Sequence, residues 1–209
     1  MKKLTAIILT GALMLTATFA QNARKPLVVY FAYSENMGNT SGMALDAVSS
    51  ASLNAKTKNT DGNLQVMAKE IVRQTGADVH QILVSDPYNP DYRTMLNRAV
   101  DESRNKKKPA LKSRLNNLSD YDVVYLGIPV WNNELPLAVV NFLEQYDFSG
   151  KTIVPFGIHL GSRWGNMLRQ IEQLEPKAKL VSGYTVNAGT ANEKVRSDFA
   201  AWLEKNKAN

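Results

Sequence analysis

The residues best suited to bind an anion lie in two short segments that are far apart in the chain. Ser34 follows an apolar, β-branched stretch and offers a hydroxyl donor. Gly62 and Asn63 precede an apolar pattern with helical spacing, and the first N–H groups of a helix are free to bind an anion. A plain helix start without a ligand is the alternative, because glycine is common at such positions.

Two further segments could complete a ligand site. Trp131 directly follows a continuous apolar stretch, where a large ring could cover a flat ligand; packing against its own domain is the alternative. The segment HLGSRWG at residues 159–165 contains two glycines that open the backbone, with a serine and an arginine as donors. A helix start capped by Ser162 is the alternative there. Together with the anion-binding segments, these features indicate a phosphorylated, flat, heteroaromatic ligand.

Strands and helices alternate along the chain and would bring these segments together. Apolar stretches rich in β-branched and aromatic residues predict strands at residues 27–33, 78–84, 121–131, 151–158 and 179–187. Apolar residues at helical spacing follow each strand, as in Leu64, Met67 and Ile71. This alternation predicts an α/β fold, a doubly wound five-stranded parallel sheet with helices on both faces. Such sheets bind ligands beyond the carboxyl ends of their strands, where all three segments are placed.

A polar segment at residues 35–59 does not fit this alternation. It lies between the first strand and the first predicted helix, is rich in Ser, Asn and Ala, and lacks strong periodicity. A loop of this length inside a compact domain is either functional or disordered. Its length and low periodicity suit both a lid over the ligand and a partner-docking loop.

Residues 1–20 have the pattern of a secretory signal peptide. Two lysines precede an apolar, uncharged stretch, and Thr18 and Ala20 provide small residues before a cleavage site at Gln21. An uncleaved membrane anchor is the alternative, but the apolar stretch is short for a membrane span. We therefore expect an exported, periplasmic protein whose mature part, residues 21–209, forms a single domain with the polar segment as an inserted loop.

Composition argues against several functional classes. The chain has a net charge of +6, and loss of the two lysines of the signal peptide leaves 23 basic and 19 acidic residues. The charges are mixed along the chain, so no nucleic-acid partner is expected. There is no cysteine, and the two histidines, His80 and His159, lack metal-ligand spacing, so neither thiol chemistry nor a metal site is expected. The most basic stretch, RNKKKP at residues 104–109, is placed where a predicted helix should end, which suits the helix dipole.

Several stretches of the sequence resemble the flavodoxin family, in the family's order and spacing and over nearly the whole mature chain. They are GIPVWNNELP at 127–136, SDPYNPDY at 85–92, LSDYDVVYLG at 118–127, NFLEQYDFSGKTIVPF at 141–156 and HLGSRWGN at 159–166. More narrowly, the chain resembles short bacterial flavodoxin-like proteins with an insertion after the first strand. This resemblance implies the strand order 2-1-3-4-5 and a phosphate loop split between Ser34 and Gly62. The GNT at residues 38–40 would then be a chance match to the family's loop.

The resemblance implies non-covalent binding of flavin mononucleotide (FMN). The phosphate group would bind at Ser34, Gly62, Asn63 and Leu64. The isoalloxazine ring would contact residues of the two later segments: Pro129, Val130, Trp131, Asn132, Asn133, His159, Leu160, Gly161 and Ser162. Because the flavin itself carries the redox chemistry in such proteins, no catalytic side chain and no metal ligand are implied.

The leading hypothesis is therefore an FMN-binding electron-transfer protein of the cell envelope, which works with a redox partner protein or a small-molecule acceptor. One alternative is an FMN-dependent enzyme that uses NAD(P)H to reduce quinone-type acceptors. The other is a non-redox binding module that keeps the fold and has lost the flavin. We expect no nucleic-acid partner and no membrane span after removal of the signal peptide, and the sequence leaves the oligomeric state open.

Overall fold

The computed structural model describes residues 25–38 and 62–206 of the chain. The predicted signal peptide and most of the predicted insertion lie outside these residues. The described residues form a parallel sheet with helices on both faces, as predicted. Among the described helices, none is long and apolar enough to cross a membrane.

The sheet has the strand order that the sequence predicts. Its strands are β1 (Leu27–Tyr30), β2 (Asp78–Gln81), β3 (Val123–Pro129), β4 (Thr152–His159), β5 (Lys179–Leu180) and β6 (Tyr184–Asn187). They are arranged β2-β1-β3-β4-β5, and β6 continues β5 along β4. The direction of chain progression reverses between β1 and β3, and this reversal defines the crevice where a ligand is expected.

Two layers of helices cover the sheet. The described helices are α1 (Tyr33–Asn36), α2 (Asn63–Thr75), α3 (Tyr92–Asn105), α4 (Leu137–Leu143), α5 (Met167–Leu174) and α6 (Asn192–Lys205), with a 3-10 turn at Leu118–Asp120. The apolar stripes of α2 and α6 pack on one face of the sheet. Those of α3, α4 and α5 pack on the other face.

Strand β1 illustrates why both faces need a helix layer. Val28 and Tyr30 are buried against α2 and α6. Leu27, Val29 and the following Phe31 are buried in the opposite core. Because apolar side chains alternate between the two faces, neither face can be left to solvent. The continuous apolar stretch in the sequence therefore marks a central strand.

The first strand ends earlier than predicted. It ends at Tyr30 instead of residue 33, and the chain then enters the single helical turn α1. Asn36 in this turn is buried, and its side-chain amide donates to the carbonyl oxygens of Ala32 and Ile82. Its Oδ1 accepts from the Val84 N–H. This side chain pairs backbone groups that strand pairing leaves open, so the chain after β1 is held in a turn.

The predicted fifth strand, residues 179–187, is present as two short strands. Both pair with β4, but the offset between paired residues increases by one from β5 to β6, which is a bulge in the edge strand. Pro155 of β4 lies in this gap and has no N–H to donate. Gly183 passes so close that an added Cβ would lie 2.1 Å from the Pro155 carbonyl oxygen. The close approach therefore requires a glycine, and the pairing resumes after it.

Candidate ligand-binding site

A cleft opens at the carboxyl edge of the sheet, over the loops that follow β1 and β3. Ten of the thirteen residues predicted to bind the ligand line it: Ser34, Gly62, Asn63, Leu64, Pro129, Val130, Trp131, Asn132, His159 and Leu160. The cleft contains about 730 Å³ of empty space, counting the part that is open to solvent.

The anion-binding part of the cleft combines Ser34 with the start of α2. The Ser34 hydroxyl oxygen is buried and has no hydrogen-bond partner among the described residues. The first backbone hydrogen bond of α2 runs from the Val66 N–H to the Gly62 carbonyl oxygen, so the N–H groups before Val66 have no partner within the helix. A buried hydroxyl or N–H group without a hydrogen-bond partner is energetically unfavourable. A phosphate oxygen would satisfy both the hydroxyl and the helix start.

Side-chain amides fix the position of this helix start. The Oε1 atom of Gln65 accepts from the Gly62 N–H at 2.6 Å. Asn63 is buried, and its Nδ2 donates to the carbonyl oxygens of Ala188 and Thr190 at 3.0 and 2.9 Å. The loop after β6 is thereby attached to the start of α2. The side chain of Asn63 thus has a structural role, while its backbone N–H remains at the free helix start.

Trp131 is held by three other aromatic rings. Its ring centroid lies 5.1 Å from that of Tyr88, 5.3 Å from Phe31 and 6.3 Å from Tyr33, with interplanar angles of 84°, 80° and 78°. Such edge-to-face contacts stabilise aromatic pairs. The indole is therefore half-buried in a fixed orientation, and part of its surface lines the cleft.

The two asparagines after Trp131 form a tight turn. Trp131 and Glu134 exchange backbone hydrogen bonds of 3.3 and 2.9 Å, and φ is 49° at Asn132 and 66° at Asn133. Positive φ at both central positions is the type I′ geometry, which asparagine tolerates well. The Asn133 carbonyl oxygen also accepts from the Asn166 N–H at 2.7 Å. This bond joins the loops that follow β3 and β4 into one wall of the site.

His159 lines the cleft from the end of β4. Its Nδ1 accepts a hydrogen bond from the Gly161 N–H at 2.9 Å. Burial lowers the pKa of His159 below its ordinary value, and the nearby Arg163 charge lowers it further. The imidazole is therefore neutral at pH 7, with Nε2 as its donor. The neighbouring Leu160 is 57% exposed and forms part of the rim.

Three predicted residues, Asn133, Gly161 and Ser162, do not line the cleft. All three are exposed. The backbone of Asn133 is bound to the loop after β4, and the Gly161 N–H is directed to His159. Their assignment as flavin contacts stays a prediction, as does that of the ten residues that line the cleft.

Seven lining residues are not among those predicted: Ala32, Tyr33, Tyr92, Met95, Leu96, Ile158 and Ala188. The helical spacing of the α3 residues indicates only an apolar face, and Met95 is indeed buried in the core. Their place over the cleft depends on how α3 packs, which a helical stripe does not reveal. Ala188 could have been found from the sequence, because it follows the last strand at the same edge of the sheet.

Comparisons with known proteins agree with this architecture. The flavodoxin family model matches residues 55–206, well over half of the chain. A candidate flavoprotein from Bacteroides eggerthii has 25% sequence identity and a TM-score of 0.61, over 89% of this chain and 99% of that chain. A candidate flavoprotein from Bacteroides uniformis has 25% identity and a TM-score of 0.59, over 87% of this chain and 99% of that chain.

A more distant structure is a flavoprotein from Lactobacillus acidophilus in complex with FMN. It has 15% identity and a TM-score of 0.52, over 78% of this chain and 93% of that chain. At this identity the similarity shows the fold alone. No curated protein sequence matches this chain. The family match begins after β1, so the place of Ser34 beside α2 comes from the structure.

Proposed function

The chain belongs to the flavodoxin family, and on this premise we propose that it is an FMN-binding electron-transfer protein of the cell envelope. The observation that carries the proposal is the buried Ser34 hydroxyl, which has no partner among the described residues and lies in one cleft with the start of α2. A phosphate group bound there would accept hydrogen bonds from the hydroxyl and from the helix N–H groups.

The phosphate group of FMN would bind through hydrogen bonds rather than through paired charges. The described residues that line the cleft include neither Lys nor Arg. The backbone N–H groups of Asn63 and Leu64 belong to the positive end of the α2 dipole. Leu64 would contribute only its backbone, because its side chain is buried in the core with α6. The affinity for the phosphate group therefore depends on how accurately these donors are placed.

The isoalloxazine ring would occupy the apolar part of the cleft. Trp131 offers a flat surface, and Tyr92 and Leu96 of α3 offer further cover from the helix layer on the same face of the sheet as Trp131. Asn132 and His159 supply polar groups at the same cleft. The bound flavin supplies the electron-transfer chemistry, while these residues bind it, orient it and exclude water.

Two lines of support lie outside the cleft. The Lactobacillus acidophilus flavoprotein, which has a similar fold, holds FMN. Export rests on the sequence pattern of residues 1–20. An exported carrier of this kind would pass electrons to a redox partner protein or to a small-molecule acceptor.

An FMN titration of the mature protein, residues 21–209, tests the proposal. We expect flavin fluorescence to be quenched on binding, and Trp131→Ala to weaken the affinity about tenfold because the stacking surface is lost. Trp202→Ala is the matched control, since Trp202 is also half-buried but stacks on Phe199 in the opposite core. It should leave the affinity unchanged.

The same preparation separates the other functions. A protein that binds no FMN at about 50 µM would be a binding module that has lost the flavin, and the proposal would be wrong. Rapid NADH or NADPH oxidation by the FMN-loaded protein with an added quinone, and without a separate reductase, would indicate the acceptor-reducing enzyme instead. An electron carrier should turn over only when a separate reductase is added.

A further inference from the structure

A carboxylate lies directly beside the anion-binding part of the cleft without lining it. Glu35 follows Ser34, and its Oε1 accepts from the Tyr30 hydroxyl at 2.7 Å. The same oxygen accepts from Nε2 of Gln65 at 2.7 Å and from Nε2 of Gln81 at 2.9 Å. The donors come from β1, α2 and β2. Glu35 is therefore the point where three elements meet behind the cleft.

Gln65 extends this contact to the other half of the anion site. Its Nε2 donates to Glu35, and its Oε1 accepts from the Gly62 N–H at 2.6 Å. Because both ends of the amide are engaged, the side chain has one defined orientation. A continuous path of bonds thus runs from Ser34 through Glu35 and Gln65 to Gly62. It joins two segments that residues 35–61 separate in the chain.

We infer that Glu35 is a positioning residue that aligns the two halves of the split anion site and so sets the affinity for the phosphate group of the ligand. The inference rests on the proposed function. One carboxylate oxygen of Glu35 accepts from three donors that come from three different elements. The described residues that line the cleft include no basic side chain, so the phosphate group would be held by hydrogen bonds alone. Small displacements of Ser34 or of the start of α2 would therefore weaken phosphate binding directly.

The charge of Glu35 makes this inference testable against a simpler view. A carboxylate near a phosphate repels it, so if Glu35 acted only through its charge, any neutral replacement would strengthen FMN binding. If Glu35 acts by alignment, Glu35→Ala weakens binding because the three donors lose their common acceptor. Glu35→Gln keeps an acceptor oxygen of the same size and should retain most of the affinity.

The experiment compares FMN with riboflavin, which has the same ring system and no phosphate. For Glu35→Ala we expect the FMN affinity to fall about tenfold, and the riboflavin affinity to change less than about twofold. Gln65→Ala breaks the same path from the other side and should give the same selective loss. Circular dichroism shows whether each variant folds. If Glu35→Ala does not fold, the result for Gln65→Ala tests the inference on its own.

Glu70→Ala is the matched control. Glu70 is a buried carboxylate on α2 that accepts from Arg73 and Gln74, but it lies two turns away from the cleft. The Glu70→Ala variant should lower the free energy of unfolding and leave the ratio of FMN to riboflavin affinity unchanged. Equal losses for both flavins in Glu35→Ala, or tighter FMN binding, would overturn the inference and leave FMN binding itself intact. A wild-type protein that binds neither flavin would overturn the proposed function and this inference with it.

Discussion

At the scale of single residues, the geometry of the cleft depends on side chains that pair backbone and buried polar groups. Asn36 fixes the turn after β1, and Asn63 and Gln65 fix the start of α2. The site is built on loops, which would otherwise be mobile. Each of these amides replaces a hydrogen bond that regular secondary structure would supply. These side-chain amides therefore hold the loops in defined positions.

Glu102 gives the same kind of support beneath Trp131. It is 5% exposed, and its carboxylate accepts from the Tyr88 hydroxyl at 2.9 Å and from Nε of Arg98 at 2.8 Å. Burial and the negative charge of Glu102 raise the pKa of Tyr88, so that its hydroxyl stays protonated and donates. Tyr88 in turn contacts the indole ring of Trp131.

Removal of this carboxylate should destabilise the protein strongly. We expect Glu102→Ala to lower the free energy of unfolding by about 3 kcal/mol, because Tyr88 and Arg98 lose their buried acceptor. Urea denaturation measures the change. Asp101→Ala, at the exposed neighbouring position, should change it by less than about 0.5 kcal/mol. An equal decrease in the free energy of unfolding in the two variants would show that the burial and hydrogen bonding of Glu102 do not contribute to stability.

At the scale of elements, the sequence predicts those features that depend on a repeated pattern of apolar residues. It does not predict features that depend on one contact with a residue far along the chain. The strand order and both helix layers follow from apolar spacing and from the family resemblance. The end of β1 does not, because it depends on Asn36 bonding to Ile82 and Val84, which lie far along the chain. The ten predicted lining residues lie at the ends of β3 and β4, in the segments that follow strands or at the start of α2, whereas those from α3 line the cleft through helix packing.

The split of the last strand had a local signal in Gly183, since an isolated glycine in a strand pattern indicates a bulge or a close approach. We expect Gly183→Ala to lower the free energy of unfolding by about 2 kcal/mol, because its Cβ would overlap the backbone of Pro155. Gly38→Ala is the control, since among the described residues its Cβ would meet no atom closer than 3.8 Å. Thermal unfolding of both variants checks the prediction. A Gly183→Ala protein with the thermal stability of the wild type would contradict the close approach of Gly183 to Pro155.

At the scale of the whole molecule, the ligand cleft and Glu175, a group with a strongly raised pKa, lie at opposite edges of the sheet. The cleft is at the carboxyl ends of the strands. Glu175 follows α5, next to the segment that leads into β5 at the amino ends. Burial, with a contribution from the Asp147 charge, raises the pKa of Glu175 from 4.5 to about 7. Because Ser149 holds the pKa of Asp147 low, that charge persists at neutral pH.

This shift predicts how stability depends on pH. In the unfolded chain Glu175 releases its proton near pH 4.5, whereas in the folded protein it keeps the proton up to about pH 7. Between these values the folded state binds more protons than the unfolded state, so the contribution of Glu175 to stability is complete below pH 4.5 and is lost as the pH rises to 7. Glu175→Gln carries no titratable group at this position and should not lose this stability. The difference in free energy of unfolding between Glu175→Gln and the wild type should therefore grow in favour of the variant from pH 4.5 to pH 7. Urea denaturation of both proteins at the two ends of the window measures it, and a constant difference would contradict the raised pKa. FMN affinity should be equal in both proteins, because the group lies far from the cleft.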